Sequence, residues 1–135
     1  MEKSGKILVV DDETSIRSLL SDILSNKGFE VTEAKDGQES LEKMEQSHFD
    51  LVITDICMPR LDGIAMLDRM EKAGRKEKVI IMSGNPPEQT HSYEKMPRVI
   101  TLLHKPFRIG NLIQIVTDAT TATAYPPEFE NRIQH

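Results

Sequence analysis

The chain has a single cysteine, Cys57, among 135 residues, so it cannot form a disulfide within itself, and a reducing compartment suits it. It also has no cluster of basic residues. Its 17 Lys and Arg stand against 22 Asp and Glu, a formal charge of -5, which argues against a nucleic-acid surface on this chain. No apolar run approaches bilayer length; stretches such as Ile7–Val10 are far too short. Acids at Asp11 and Asp12 arrive before the apolar core of a secretion signal could develop. The expectation is a cytoplasmic protein with no membrane contact. Internal repeats and low-complexity stretches are absent. The histidines, at 48, 91, 104 and 135, show no metal-ligand spacing and are expected on the surface or in loops. What remains at this length is one domain, large enough to bury a core.

What is present is an alternation of short aliphatic runs and amphipathic stretches. "KILVV" (6–10) reads as a buried strand. Ile16, Leu19, Leu20, Ile23 and Leu24 then fall on one helical face from about Thr14, and Gly28 supplies the stop. "FEVTEA" (29–34) alternates as a strand with one drier face, and Asp36-Gly37 turns the chain into a weaker helix over 38–47, with Leu41 and Met44 inward. "DLVIT" (50–54) is the third strand. Ile64, Leu67 and Met70 anchor a helix ending near Gly74. "VIIMS" (79–83) and "VITLL" (99–103) are strands, and Ile109, Leu112, Ile113, Ile115 and Val116 mark a last helix. Between those strands, Asn85, Pro86 and Glu88 look like a helix start, but only Tyr93 and Met96 offer apolar contacts, so a short, loosely held helix is expected. Periodicity fades from Thr120, which predicts a domain over 1–120 and a tail over 121–135. Strands alternating with helices predict an α/β fold, a doubly wound five-stranded parallel sheet with helices on both faces.

Polar residues gather where the strands end. Asp11 and Asp12 follow the first strand, Asp55 the third, Ser83 the fourth, and Lys105 lies just past the fifth. In an open parallel sheet the working crevice lies outside the carboxyl ends of the strands, where strand order reverses, and the flavodoxin-like order 2-1-3-4-5 makes strands one and three neighbours. Asp11, Asp12 and Asp55 would then share a pocket. Three close carboxylates repel unless a cation joins them, and an incomplete cage of oxygen ligands suits Mg²⁺. A carboxylate can also attack phosphorus to give an acyl phosphate, a reaction that needs positioning and charge neutralisation above all. Lys105 would supply positive charge and Ser83 a hydrogen bond to the product.

On these pieces, "ILVVDDE" (7–13), "DLVITDICMPRLDG" (50–63), "VIIMSG" (79–84) and "HKPF" (104–107), the sequence resembles the receiver domains of two-component response regulators, over about residues 5 to 120. The resemblance implies a phosphorelay receiver in which Asp55 accepts a phosphoryl group from a sensor histidine kinase or histidine phosphotransfer protein and so switches contacts with a downstream protein. It implies that Asp12 and Asp55 bind Mg²⁺ directly, Asp11 largely through water, and that the backbone carbonyl of Cys57 completes the protein ligands. Ser83 matches the switch hydroxyl and Lys105 the phosphate-contacting lysine. Such domains often hold the Lys–Pro bond cis, which singles out Lys105–Pro106. Chemistry beyond self-phosphorylation and self-dephosphorylation is not expected.

The sequence departs from the family pattern twice. The family usually places an aromatic switch residue three positions before the lysine, where this chain has Leu102. The thin helix around 86–96 is also unusual, so phosphorylation is expected to order the segment 85–98 instead. Two other readings stand beside a receiver acting without its own effector domain, which a start at Met1 favours. One is a receiver cut from a hybrid sensor kinase, with which "MSGN" and "KPF" also agree. The other is an aspartyl-nucleophile phosphohydrolase of the haloacid dehalogenase type, but that chemistry needs a second acid two residues after the nucleophile, and the slot holds Cys57. A degenerate receiver serving only as a scaffold is disfavoured by the presence of all five polar site residues.

Overall fold

The computed structural model describes residues 5–56, 63–84 and 98–122. They form β1 (Lys6–Val10), α1 (Thr14–Asn26), β2 (Glu30–Ala34), α2 (Gly37–Gln46), β3 (Leu51–Asp55), α3 (Gly63–Lys72), β4 (Lys78–Ser83), β5 (Val99–His104) and α4 (Ile109–Ala122). The helix expected over 86–96, the loop containing Cys57 and the tail from residue 123 lie outside the described residues. The last helix runs to Ala122, two residues past the point where its apolar periodicity fades.

All neighbouring strands pair in parallel, in the order β2-β1-β3-β4-β5. Successive side chains of a strand point to opposite faces, so a strand covered on both sides must be apolar throughout. That is why β1 and β3 read as unbroken aliphatic runs. Ile7, Val9, Ile53, Ile80 and Met82 pack on one face with Leu20 and Leu24 of α1 and Leu112 and Val116 of α4. Leu8, Val10, Val52, Val79 and Ile81 pack on the other with Met44 of α2 and Met66, Leu67 and Met70 of α3. Two residues expected on inward helix faces lie outward instead: Leu19 and Ile109 are each 46% exposed. Leu19 sits about 100° around the helix from Leu20, beyond the arc that the sheet covers. Ile109 is the first residue of its helix.

Local chemistry sets the element ends. Asp36 caps α2, its side chain accepting a hydrogen bond from the Glu39 amide at 2.8 Å. Gly28 and Gly74 follow α1 and α3 with φ of 96° and 72°, the left-handed conformation in which a helix can be closed without a Cβ clash. Between β4 and β5 the register slips once: Val79 pairs with Val99 but Ile80 with Thr101, so Ile100 is an extra residue in β5.

At the amino-terminal end of the sheet a buried ion pair ties three segments together. Arg75 bonds Glu77 through Nε and Nη2, and also donates to the carbonyl oxygens of Met44, at 2.7 Å, and Ser47, at 3.0 Å. Glu77 accepts a further bond from the Phe49 amide at 3.2 Å.

Candidate functional site

The carboxyl ends of β1 and β3 lie side by side because Val10 pairs with Thr54. This juxtaposes the residues that follow them. Asp11, Asp12 and Asp55 each offer a carboxylate oxygen within 4.8 Å of the others. Asp11 is fully buried, Asp55 partly buried and Asp12 exposed, so the trio runs from the protein interior to solvent. β5 brings Lys105 over them through a 2.7 Å bond from its amide to the Ser83 carbonyl oxygen. Lys105 Nζ lies 3.2 Å from Asp55 Oδ2 and 3.4 Å from Asp11 Oδ2, bridging the two carboxylates. The following Lys105–Pro106 bond is cis, as the resemblance implied.

Other bonds fix the carboxylates in place. Asp11 Oδ1 accepts from the Glu13 amide at 2.9 Å, and Asp55 Oδ1 from the Ile56 amide at 2.7 Å. Thr54 Oγ1 donates to the Asp55 carbonyl oxygen at 2.9 Å. Ser83, 2% exposed, ends β4 opposite His104.

The electrostatics show a deficit. Burial pushes the Asp11 carboxyl above the ordinary carboxylate range; the Glu13 amide and Lys105 oppose this without reversing it, and Asp55 adds to the rise. Burial alone would lower Lys105, but the Asp11 and Asp55 charges outweigh it and hold the ammonium above the usual lysine range. Three carboxylates against one ammonium leave this cluster with two uncompensated negative charges. An all-oxygen donor set with that imbalance fits a hard divalent cation, and Mg²⁺ in particular, since Mg²⁺ keeps several waters and takes few protein ligands.

A sequence profile of the response regulator receiver domain matches residues 7–117. The chain belongs to this family. Sporulation initiation phosphotransferase F of Bacillus subtilis is 33% identical over 107 residues, covering 79% of this chain and 86% of that protein. The DNA-binding transcriptional regulator NtrC of a Bradyrhizobium species is 35% identical over 120 residues, 84% of this chain but only 24% of that longer protein. Among solved structures, the receiver domain of the Francisella response regulator 1452 superposes with a TM-score of 0.82 at 32% identity, over 88% of this chain and 98% of that one. Receiver domains generally bind Mg²⁺ through an acidic pocket and interact with histidine kinases or phosphotransfer proteins.

Measured against the sequence expectations, the structure brings Asp11, Asp12, Asp55 and Lys105 into one site and joins Ser83 to it through the bond from the Lys105 amide, while Cys57 lies outside the described residues. Leu102, in the slot of the receiver's aromatic switch, packs partly buried against the Val79 and Ile81 side of the core. His104 departs from the surface-or-loop expectation: it closes β5, and its Nε2 is buried with no hydrogen-bond partner among the described residues. One residue at the site went unnoticed in the sequence. Arg17 of α1 donates from Nη1 to the Asp11 carbonyl oxygen at 2.7 Å and from Nε to Glu33 Oε1 at 3.0 Å. Its only signal was position, a cation three residues before buried Leu20 on the inward side of the helix. No helix among the described residues is long and apolar enough to cross a membrane.

Proposed function

We propose that this receiver takes a phosphoryl group onto Asp55 from the phosphohistidine of a sensor kinase or phosphotransfer protein, with Asp11, Asp12 and Asp55 holding Mg²⁺. The observation that carries this reading is the Lys105 ammonium bridging Asp55 and Asp11 at 3.2 and 3.4 Å inside the acid trio. An Asp55 carboxylate oxygen forms the new bond to phosphorus while the donor's phosphorus–nitrogen bond breaks and its imidazole leaves. Lys105 then moves its interaction from the Asp55 carboxylate, whose charge is lost on forming the acyl phosphate, to a phosphoryl oxygen. Ser83 donates its hydroxyl hydrogen to another. Mg²⁺, when bound, neutralises charge on the transferring group, and the backbone carbonyl of Cys57 would join the three aspartates as a ligand.

Output follows from replacing a compact carboxylate with a dianionic group at the end of the central strand, a change large enough to redraw the rim around Ser83 and the surface beyond it. With Leu102 packed in the aromatic slot, that change reaches the outer face of β5 through branched aliphatic packing rather than a flipping ring. The family's partners suggest two outputs, a downstream protein that recognises the phosphorylated face or onward transfer to a second histidine protein.

Intact mass after incubation with acetyl phosphate and Mg²⁺ tests the reading. One added phosphoryl group per chain is expected, absent in Asp55→Asn and in the presence of a chelator. Catalytic release of phosphate from a phosphomonoester would instead support the phosphohydrolase reading, and no modification would leave only a binding scaffold.

A further inference from the structure

The backbone of Asp11 is held by β2 and α1 together, and its carbonyl is the half of the hold that lies in the peptide joining it to Asp12. The Asp11 amide donates to the Ala34 carbonyl oxygen at 3.1 Å. The Asp11 carbonyl oxygen accepts from Arg17 Nη1 at 2.7 Å, and the same guanidinium is anchored through Nε to Glu33, the residue before Ala34. Both backbone polar groups of Asp11 therefore answer to the end of β2, one directly and one through a planar, forked side chain whose geometry allows two bonds in fixed directions. The Arg17 side chain is only 16% exposed, which shields its bond to the Asp11 carbonyl better than its bond to Glu33, whose side chain is 39% exposed. Asp12 itself is exposed, and the orientation of the peptide plane that precedes it determines where its carboxylate points.

We infer that Arg17 is a positioning residue for the acidic site, holding the Asp11–Asp12 peptide so that both carboxylates face Asp55, with Glu33 as its anchor. This rests on the reading of the trio as a Mg²⁺ site. The sign of the effect makes it decidable. A guanidinium beside three carboxylates disfavours a dication, so at fixed geometry its removal tightens Mg²⁺ binding. If Arg17 instead sets the geometry, its removal weakens binding despite the lost repulsion, as when groups that orient metal ligands are removed, typically by about 10- to 100-fold.

The test is a Mg²⁺ titration of the full chain, followed by backbone amide shifts well below the unfolding temperature, for wild type, Arg17→Gln, Arg17→Lys and Glu33→Gln. Arg17→Gln is expected to weaken Mg²⁺ by about 10-fold or more. Glu33→Gln, which keeps the bond to the Asp11 carbonyl but loosens its anchor, is expected to weaken it less, and Arg17→Lys to fall between. In the metal-free state the Glu13 amide, bonded to Asp11 Oδ1, is expected to exchange faster in Arg17→Gln while amides of β3 and β4 keep their protection. Unchanged or tighter Mg²⁺ binding in Arg17→Gln overturns the inference, as does a uniform loss of protection across the sheet. Should Arg17→Gln fail to fold, Glu33→Gln decides on the same criterion. If wild type shows no saturable Mg²⁺ binding, the acidic-site reading itself has failed.

Discussion

At the amino-terminal end of the sheet Glu77 is 4% exposed, and at the carboxyl end Asp11 is completely buried. Glu77 is fully answered: Arg75 contributes two bonds, the Phe49 amide a third, and Arg75's remaining donors satisfy two main-chain carbonyls. Burial alone would raise its pKa, but the Arg75 and backbone hydrogen bonds outweigh that and hold it below the ordinary range. Asp11 shares one ammonium with Asp55, and the balance tips the other way, upward. The same chemical group is thus scaffold at one end of the strands and incomplete at the other. A buried charge with all its partners holds segments together; one left short of partners is poised for a ligand that arrives later.

The largest test of the contrast is to make the same carboxylate-to-amide change at each end. Glu77→Gln strands the Arg75 charge and is expected to lower stability by about 3 kcal/mol or more in denaturant titrations at neutral pH. Because the folded pKa of Glu77 is depressed, the gap between wild type and Glu77→Gln should be full above the unfolded value of about 4.3 and close as pH falls through the lower folded value. A gap that widened on acidification would break the comparison. Next in size, Mg²⁺ at a hundredfold excess over its dissociation constant should stabilise wild type by about 2.7 kcal/mol. Glu77→Gln should keep that increment, since its site stands at the other end of the strands. Smallest, Asp11→Asn should raise stability slightly without metal, because ionised Asp11 is net unfavourable, while losing most of the Mg²⁺ increment. Destabilisation by Asp11→Asn would show that its charge is already balanced.

The sequence made the sheet and the acid trio legible because each left a local trace: unbroken aliphatic runs for strands covered on both faces, and acids placed at the last residue of such a run. Arg17, Arg75 and Glu77 left no such trace. The two arginines donate to carbonyl oxygens 6, 31 and 28 residues away, and every residue's backbone offers the same acceptor, so nothing in the side-chain pattern marks the partner. Leu19 went astray for the opposite reason: helical periodicity says that a residue is apolar and on an arc, not how wide an arc the sheet covers. His104 was placed outside the core because a histidine carries no periodicity of its own, yet it occupies the last rung of β5.

The extra residue Ile100 acts as a phase shifter for everything downstream of it in β5. Were Ile100 to pair with Ile80 in an unbroken ladder, Ser83 would face Leu103 in place of His104, turning Leu103 out of the hydrophobic layer that includes Leu112 and Val116. Lys105 would start one rung, about 3.3 Å, farther from the strand ends, out of reach of the aspartates it now bridges. A solvent-facing isoleucine, 44% exposed and remote from the chemistry, thereby sets the timing of the chain's arrival at its own reactive group.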